Sequence, residues 1–248
     1  MKVSIITICY NRVKTIEKAI QSVLSQDYED IEYIIIDGKS KDGTQIIIEK
    51  YREQITNYIS ESDDGMYEAI NKGLAIATGD IIGLIHSDDE FYDNNVISKI
   101  VQAFKVSNLI EGVYGDGIYI SNDKNERIIR NRIGGDFSIK KIKNGWLPLH
   151  TTLYIKTSTL KKYGLYNLNF KIASDTEFIL RYLFKHKINV AYLNDYVVKM
   201  RMGGLSTSFS HSFKVLLEDY KIYKLLGISP LRVVFQKKIK TLIQYLKK

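Results

Sequence analysis

Three apolar runs that each end in polar or acidic residues constrain this chain more than any other feature. Residues 2–9 (KVSIITIC), 33–37 (YIIID) and 80–85 (DIIGLI) are continuous and rich in β-branched side chains. That is the pattern of strands buried on both faces. Between them the apolar period changes to that of a helix. Ile16, Ala19, Ile20, Val23 and Leu24 follow Asn11, a plausible cap. Residues 46–51 read as helix and 58–60 as a short strand. Residues 66–77 read as a further helix with Ile70, Leu74 and Ala77 inward. Strands alternating with helices imply crossover units and a parallel sheet.

In open sheets of that kind the ligand binds beyond the carboxyl ends of the strands. Those positions are unusually polar here: Thr7, Tyr10 and Asn11, then Asp37, then Asp63 and Asp64, then Asp88 and Asp89. Such clustering fits a bound metal ion or a nucleobase read through hydrogen bonds. Adjacent carboxylates such as Asp88 and Asp89 repel unless a cation or donors compensate. Hard oxygen ligands suit Mg²⁺ or Mn²⁺ bridged to a substrate diphosphate. The plainer alternative is capping of a helix that starts near Asn95.

The second half is less regular. Residues 113–120 read as a strand and 121–126 as a hairpin turn. Residues 134–145 read as irregular, 151–155 as strand-like and 173–184 as a helix opening with Ser174 and Asp175. Residues 190–193 and 196–200 read as two strands. Glu177 and Arg181, four apart, are placed to pair on the helix surface. No linker or repeat divides the chain, so one continuous unit is expected.

Composition narrows the class. A chain of 248 residues with 45% hydrophobic content buries a core without disulfides. Its one cysteine, Cys9, sits in an apolar strand as a small core residue, and no Cys/His spacing suggests zinc. No cleavable leader is apparent and no apolar run approaches the ~20 residues of a membrane span. The expectation is a cytoplasmic globular protein, with peripheral contact to the inner membrane face left open. The net charge is +8, but the last twenty residues hold six Lys and Arg and no acid, against 30 cations and 28 acids elsewhere. A nucleic-acid binder more often spreads its cations over a folded face, so no nucleic-acid partner is expected. In residues 229–248, Leu231, Phe235, Ile239, Leu242, Ile243 and Leu246 share one helical side, and Lys237, Lys240, Lys247 and Lys248 the other. Such a helix suits an anionic membrane surface. It suits equally the parent domain or a second copy in a homodimer.

Seven segments in order resemble the family 2 glycosyltransferases of the GT-A fold, in particular short bacterial members that build surface polysaccharides. They are SIITICYNR (4–12), IIIDGKSKDGT (34–44), SESDDGMYEAINKGLAIATGD (60–80), HSDDEF (86–91), LHTTLYIKTSTLKKYGLYN (149–167), ASDTEFILRY (173–182) and KMRMGGLS (199–206). The resemblance implies an α/β, Rossmann-like, mostly parallel central sheet flanked by helices. It divides the chain into a GT-A domain (1–206) and C-terminal helices (207–248). Within the domain, residues 1–110 would be the nucleotide-binding half and 111–206 the acceptor half.

It also implies inverting transfer of a sugar from a nucleotide-diphosphate sugar, most simply a UDP-sugar, to a hydroxyl of a glycan or lipid-linked glycan. In that reading Asp89 holds Mn²⁺ or Mg²⁺ and Asp88 contacts ribose or a metal-bound water. Asp37 reads uracil and Lys72 adds charge near the diphosphate. Thr7, Tyr10, Asn11, Asp63 and Asn71 complete the nucleotide-sugar site. Asp175 is the catalytic base, with Glu177 in reserve. His150 sits where relatives often carry His, and His211 is a further metal-ligand candidate. The loop 199–206 would close on the donor. The sequence departs from the usual pattern in having Ser87-Asp88-Asp89-Glu90 for the acidic triplet and Ser174 before the base. A dehydrogenase would need G-x-G-x-x-G after a strand, which is lacking. A non-catalytic nucleotide-sugar-binding scaffold of the same fold is the remaining alternative.

Overall fold

The computed structural model describes residues 1–123, 125–202 and 209–233, the side chains of 209–213 apart. Strands β1 (Val3–Cys9), β2 (Ile31–Asp37), β3 (Asn57–Ser60) and β4 (Ile81–Leu84) alternate with helices α1 (Ile16–Leu24), α2 (Thr44–Glu49) and α3 (Met66–Ile76). They lie parallel in the order β3-β2-β1-β4. Side-chain alternation assigns them to two cores. Val3, Ile5, Tyr33 and Ile35 pack with Ile16, Ala19, Ile20 and Val23 of α1. Ile6, Ile8, Ile34 and Ile36 pack with Ile70 and Leu74 of α3 on the other face. The period of two along the strands meets the 3.6 period of the helices, and every side chain of β1 is buried.

At the amino ends of these strands the buried Glu32 fastens three segments. Its carboxylate accepts from Ser4 Oγ (2.5 Å), Thr78 N (2.7 Å), Thr78 Oγ1 (2.6 Å) and Lys2 Nζ (3.1 Å). Desolvation pushes the acid upward, but these donors outweigh it and hold Glu32 down at about 2.

The remaining elements are β5 (Asp89–Phe91), α4 (Val96–Lys105), β6 (Gly112–Ile120), β7 (Ile128–Arg132), α5 (Ile139–Lys143), β8 (Tyr154–Lys156), α6 (Thr157–Tyr163), α7 (Ser174–Leu180), β9 (Val190–Arg201) and α8 (Phe209–Leu225). The sheet continues from β4 as β8-β6-β9-β5, with β7 also on β6. Its pairings here are antiparallel except β6 with β9. The seam is β4 against β8. A Cβ built on Gly83 would lie 2.1 Å from Tyr154 Cε1, so the buried tyrosine ring occupies the space a side chain at 83 would take.

Several expectations are corrected. The stretch 134–145 holds α5, capped by Ser138 Oγ accepting from Lys141 N at 3.2 Å. Residues 190–193 and 196–200 form one strand, β9, whose pairing with β6 shifts register around Asp116. The helix expected over 173–184 is α-helical to Leu180 and continues as a π-turn, Arg181–Lys185. Asp89 opens strand β5 rather than capping a helix, because residues 89–91 pair with β9. Strand β7 was not foreseen. It is an edge strand exposed on both faces, without the alternation that reveals a half-buried strand.

Residues 203–208, Lys124 and residues 234–248 lie outside the described residues, as does the side chain of His211. Residues 203–206 of the segment expected to close on the donor and most of the basic tail fall there, while Lys199, Met200 and Arg201 of that segment belong to β9 rather than to a loop. No helix among the described residues is long and apolar enough to cross a membrane.

Candidate active site

The carboxyl ends of β1, β2 and β3 meet at one edge. Asp37 is fully buried and accepts from Ser40 N (3.0 Å), Ser40 Oγ and Ser60 Oγ (2.7 Å). Asn11 adopts a left-handed φ of 52°, which Asn tolerates. Its Oδ1 accepts from Lys41 N (2.9 Å) and its N–H donates to Ser40 Oγ (2.8 Å). Together these two residues shape the turn after β2. Gly38 in that turn admits two neighbours: a Cβ there would lie 2.8 Å from Asp63 Oδ2 and 3.2 Å from Tyr10 Cδ2. Tyr10 is 61% exposed, so its ring and the Asp63 carboxylate face one accessible spot.

Three residues expected in this site are engaged elsewhere. Thr7 is buried and accepts from Tyr33 Oη (3.1 Å) inside the core. Asn71 ties α3 to the segment after α6, with Nδ2 on Tyr166 O (2.9 Å) and Oδ1 accepting from Tyr166 N (3.0 Å). Lys72 pairs with Glu61 (2.9 Å) and Glu68 (3.4 Å) and donates to Ser62 O (3.0 Å). Its charge is therefore compensated locally.

After β4 the chain turns at His86-Ser87-Asp88-Asp89, closed by Asp89 N donating to His86 O at 3.0 Å. Asp89 is 6% exposed. Burial pushes its carboxyl well above the usual range, Asp88 and Glu90 add to this, and only Arg201 opposes it. Arg201 is itself held by Glu90 and by Glu126 (2.6 Å), and Glu126 by Lys18 (2.5 Å). A buried carboxylate beside a second one is a local deficit of positive charge. The residues fit a hard divalent ion in that sense. Among the described residues no group of three or more His, Cys, Asp or Glu is arranged to hold a metal. Ions of this type commonly take one or two carboxylates, with waters and substrate phosphates filling the remainder.

The second half of the chain closes on the same turn. His150, in the short turn His150–Thr152, places its Nε2 2.6 Å from His86 Nε2. Its Nδ1 lies 3.6 Å from Asp175 Oδ2. Burial lowers both imidazoles, His86 to about 3 with the His150 and Arg12 charges contributing. Two neutral rings then share one proton across the short contact. If His150 presents Nδ1–H to Asp175, His86 must donate from Nε2. Asp175 Oδ1 lies 3.1 Å from Tyr67 Oη, which also reaches Ile172 O (2.8 Å).

Asp175 stands in the first turn of α7, and the start of that helix is fixed from outside. Glu218 of α8 accepts from Lys171 N (3.0 Å), Ile172 N (2.9 Å) and Ala173 N (2.9 Å). A carboxylate suits the amino end of a helix, where N–H groups lack partners. Glu177, the reserve base, forms the expected pair with Arg181 four residues on (2.8 and 3.1 Å), buried rather than on the helix surface. Arg181 in turn binds the carbonyls of Tyr163, Gly164 and Leu165.

The site thus unites Tyr10 and Asp63, the Asp88–Asp89 turn, and the His86–His150–Asp175 chain. Reasoning from sequence missed His86, Tyr67 and Glu218, because nothing local to them signals contacts across 64, 108 and 45–47 residues.

A parallel nucleotide-type sheet extended by antiparallel strands, with an acidic turn at the junction, is the arrangement of the GT-A glycosyltransferases. The sequence pattern of "Glycosyl transferase family 2" matches residues 4–171, and the chain belongs to that family. It is 34% identical over 181 residues to an uncharacterised glycosyltransferase of Mycobacterium tuberculosis, covering 72% of this chain and 68% of that one. It is 24% identical over 209 residues to a PGL/p-HBAD biosynthesis glycosyltransferase of Mycobacterium bovis, covering 83% and 79%. In fold it is similar to S. aureus TarS 1–349 in complex with UDP-GlcNAc: TM-score 0.69, 18% identity, 92% of this chain and 66% of that one. It is similar too to the mannosyltransferase PcManGT of Pyrobaculum calidifontis in complex with GDP-Man and Mn²⁺: TM-score 0.68, 14% identity, 95% and 68%. The chain thus spans about two thirds of the length of these structural neighbours.

Proposed function

We propose that the protein is a metal-dependent, inverting glycosyltransferase. It would move a sugar from a nucleotide-diphosphate sugar, a UDP-sugar in this reading, to a hydroxyl of a glycan or lipid-linked glycan in bacterial surface-polysaccharide synthesis. The observation that carries the proposal is the joining of Asp175 to the acidic turn through His150 and His86. It sets a carboxylate base beside the place where a diphosphate would depart.

Tyr10 would offer its exposed ring to a nucleobase, and Asp63, in place of the buried Asp37 to which the resemblance gave this role, would accept an imide N–H such as that of uracil. Asp37 and Asn11 stand behind them and hold the turn. Asp88 is assigned to ribose or a water, and Asp89 to the cation. When bound, that cation supplies positive charge that stabilises the diphosphate as the glycosidic bond breaks. Asp175 takes the proton from the acceptor hydroxyl as it attacks from the face opposite the leaving group, a contribution of about 10²–10⁴-fold. His150 orients that carboxylate, and His86 fixes the tautomer of His150. The 3.6 Å approach of His150 to Asp175 is of the loose kind that tightens on substrate binding. The names of the structural neighbours support a nucleotide-sugar donor in general, one being bound to UDP-GlcNAc and the other to GDP-Man with Mn²⁺.

The test is calorimetric titration of UDP and of GDP, each with and without Mn²⁺. Metal-dependent UDP binding that Asp89→Ala removes and Asp175→Ala spares is the expected result. Preference for GDP would retain the transferase and overturn the reading of Tyr10 and Asp63. No binding of either by folded protein would favour the non-catalytic scaffold. Work on the inner face of the cell membrane, with the tail 229–248 touching anionic lipid, belongs to this same proposal.

A further inference from the structure

A second surface, on the acceptor side of the sheet, carries its own chemistry. Residues 127–143, comprising β7, the following loop and α5, hold six cations (Arg127, Arg130, Arg132, Lys140, Lys141 and Lys143) against one acid, Asp136. Outside this segment and the last twenty residues the chain has 24 cations against 27 acids. The positive charge of the described body is therefore concentrated here.

These cations are largely uncompensated. Among the described residues only Arg127 is in an ion pair, with Asp123 at 3.1 Å. The acid just before the segment, Glu126, is taken by Lys18 and Arg201. Several of the others rest on rings instead: Arg130 lies 5.9 Å from the Tyr119 centroid, Lys141 5.6 Å from Trp146 and Lys143 6.0 Å from Phe184. Such contacts support the stems and leave the charge able to meet an anion.

The apolar content is as unusual. Ile128, Ile129 and Ile133 are 58%, 41% and 56% exposed. Nowhere else among the described residues do three exposed large apolar side chains fall within six positions. The edge strand that carries Ile128 and Ile129 and leads into Ile133 pairs on one side only, with β6. The segment is nevertheless rigidly founded, since Gly134 N donates to Asp116 Oδ1 (2.8 Å) and Tyr114 Oη to Gly135 O (2.6 Å). Arg132 reaches the carbonyl of Leu147 (3.4 Å), three residues before His150 of the candidate active site.

We propose that β7 and α5 form a docking surface for an anionic lipid bilayer. Cations interspersed with exposed isoleucines are what an interfacial segment presents: the charges meet anionic headgroups and the aliphatic side chains enter the boundary beneath. A soluble polyanion would use the charges and leave the isoleucines without purpose, which is why the bilayer is favoured. The surface is distinct from the C-terminal tail and does not depend on which sugar is moved.

The test is co-sedimentation of the full chain with phosphatidylcholine vesicles and with vesicles containing phosphatidylglycerol. The wild type, R130E/K140E/K143E, I128S/I129S/I133S and the tail variant K237E/K238E/K240E are compared. Wild type should sediment with anionic vesicles only. Charge reversal on the patch should weaken binding about 10- to 100-fold, and the serine variant should weaken it severalfold at unchanged charge. UDP affinity and melting temperature should stay as in wild type, which separates failure of this surface from failure of the nucleotide site. K140E/K143E, both at exposed positions of α5, replaces the triple variant if that does not fold. Patch variants that sediment like wild type would overturn the proposal and, if only the tail variant is released, assign binding to the tail. So would absence of vesicle binding by wild type. Undiminished binding by the serine variant, with soluble polyphosphate competing, would make the surface a polyanion site and overturn it equally.

Discussion

His86 and His150 face each other with their Nε2 atoms 2.6 Å apart, and this contact joins the acidic turn after β4 to the segment beside Asp175. Removing the nitrogens of either ring should disturb the same arrangement. The losses in kcat for His86→Phe and His150→Phe should therefore be less than additive in the double variant, with a coupling of about 1–3 kcal/mol. Steady-state rates on the four proteins of the cycle measure it. Strictly additive losses would mean the contact transmits nothing to the base.

Asp175→Asn keeps the shape of the proposed base and removes its basicity. Turnover should fall by about 10²–10⁴-fold, while the affinity for UDP measured by calorimetry stays unchanged. A fall in UDP affinity of similar size would move Asp175 from the acceptor to the donor side.

Asp89 should show a conflict between stability and function. Its carboxyl is raised by burial and by Asp88 and Glu90, so the ionised form is disfavoured in the fold. A group raised above its unfolded value favours the folded state at low pH and loses that contribution as pH rises through the folded value. At neutral pH and without metal, Asp89→Asn should therefore melt higher, by about 2–4 °C per kcal/mol relieved. Metal-dependent UDP binding should disappear in the same variant. An unchanged or lower melting temperature would contradict the electrostatic account.

Glu218 braces the start of the helix that carries Asp175, and both residues lie beyond the matched family segment, which ends at residue 171. Glu218→Gln weakens acceptance of three N–H groups ahead of α7 at a cost of about 1–2 kcal/mol. We expect kcat to drop about tenfold while KM for the donor holds, since small displacements of a reacting group are costly. A change in donor KM with constant kcat would count against it.

Glu32 predicts the acid limb of stability. Held at about 2 in the fold against 4.5 as its ordinary value, it contributes above its unfolded value and loses that contribution as pH falls toward 2. The span corresponds to about 3 kcal/mol. Urea midpoints between pH 6 and pH 3 should slope downward, and Glu32→Gln should flatten the slope.

The parallel half of the fold was legible because β1, β2 and β4 are continuous apolar runs and α1 repeats its apolar residues at helical spacing. Each local pattern agreed with the final packing. The second half of the chain was less legible. β7 is exposed on both faces, α5 has five residues, and β9 is interrupted in register, so each lacks the period by which strands and helices announce themselves. Within the site, the end of an apolar strand marked Asp88 and Asp89, and only the family resemblance marked Asp175. Sequence position could not separate residues facing the cleft from those engaged behind it. Thr7, Asn71 and Lys72 are each satisfied by one or two partners, and those partners are tertiary or depend on loop conformation.

The missing side chain at Gly83 and the ring of Tyr154 interlock where the parallel and antiparallel parts of the sheet join. Hybrids assembled by grafting a foreign continuation after β4 must therefore inherit both members of this lock and key. A first segment with a larger residue at 83, matched to this β8, would be wedged apart at the line where the two parts of the sheet join. Compatibility of halves among such proteins should be readable from these two positions before any loop is considered.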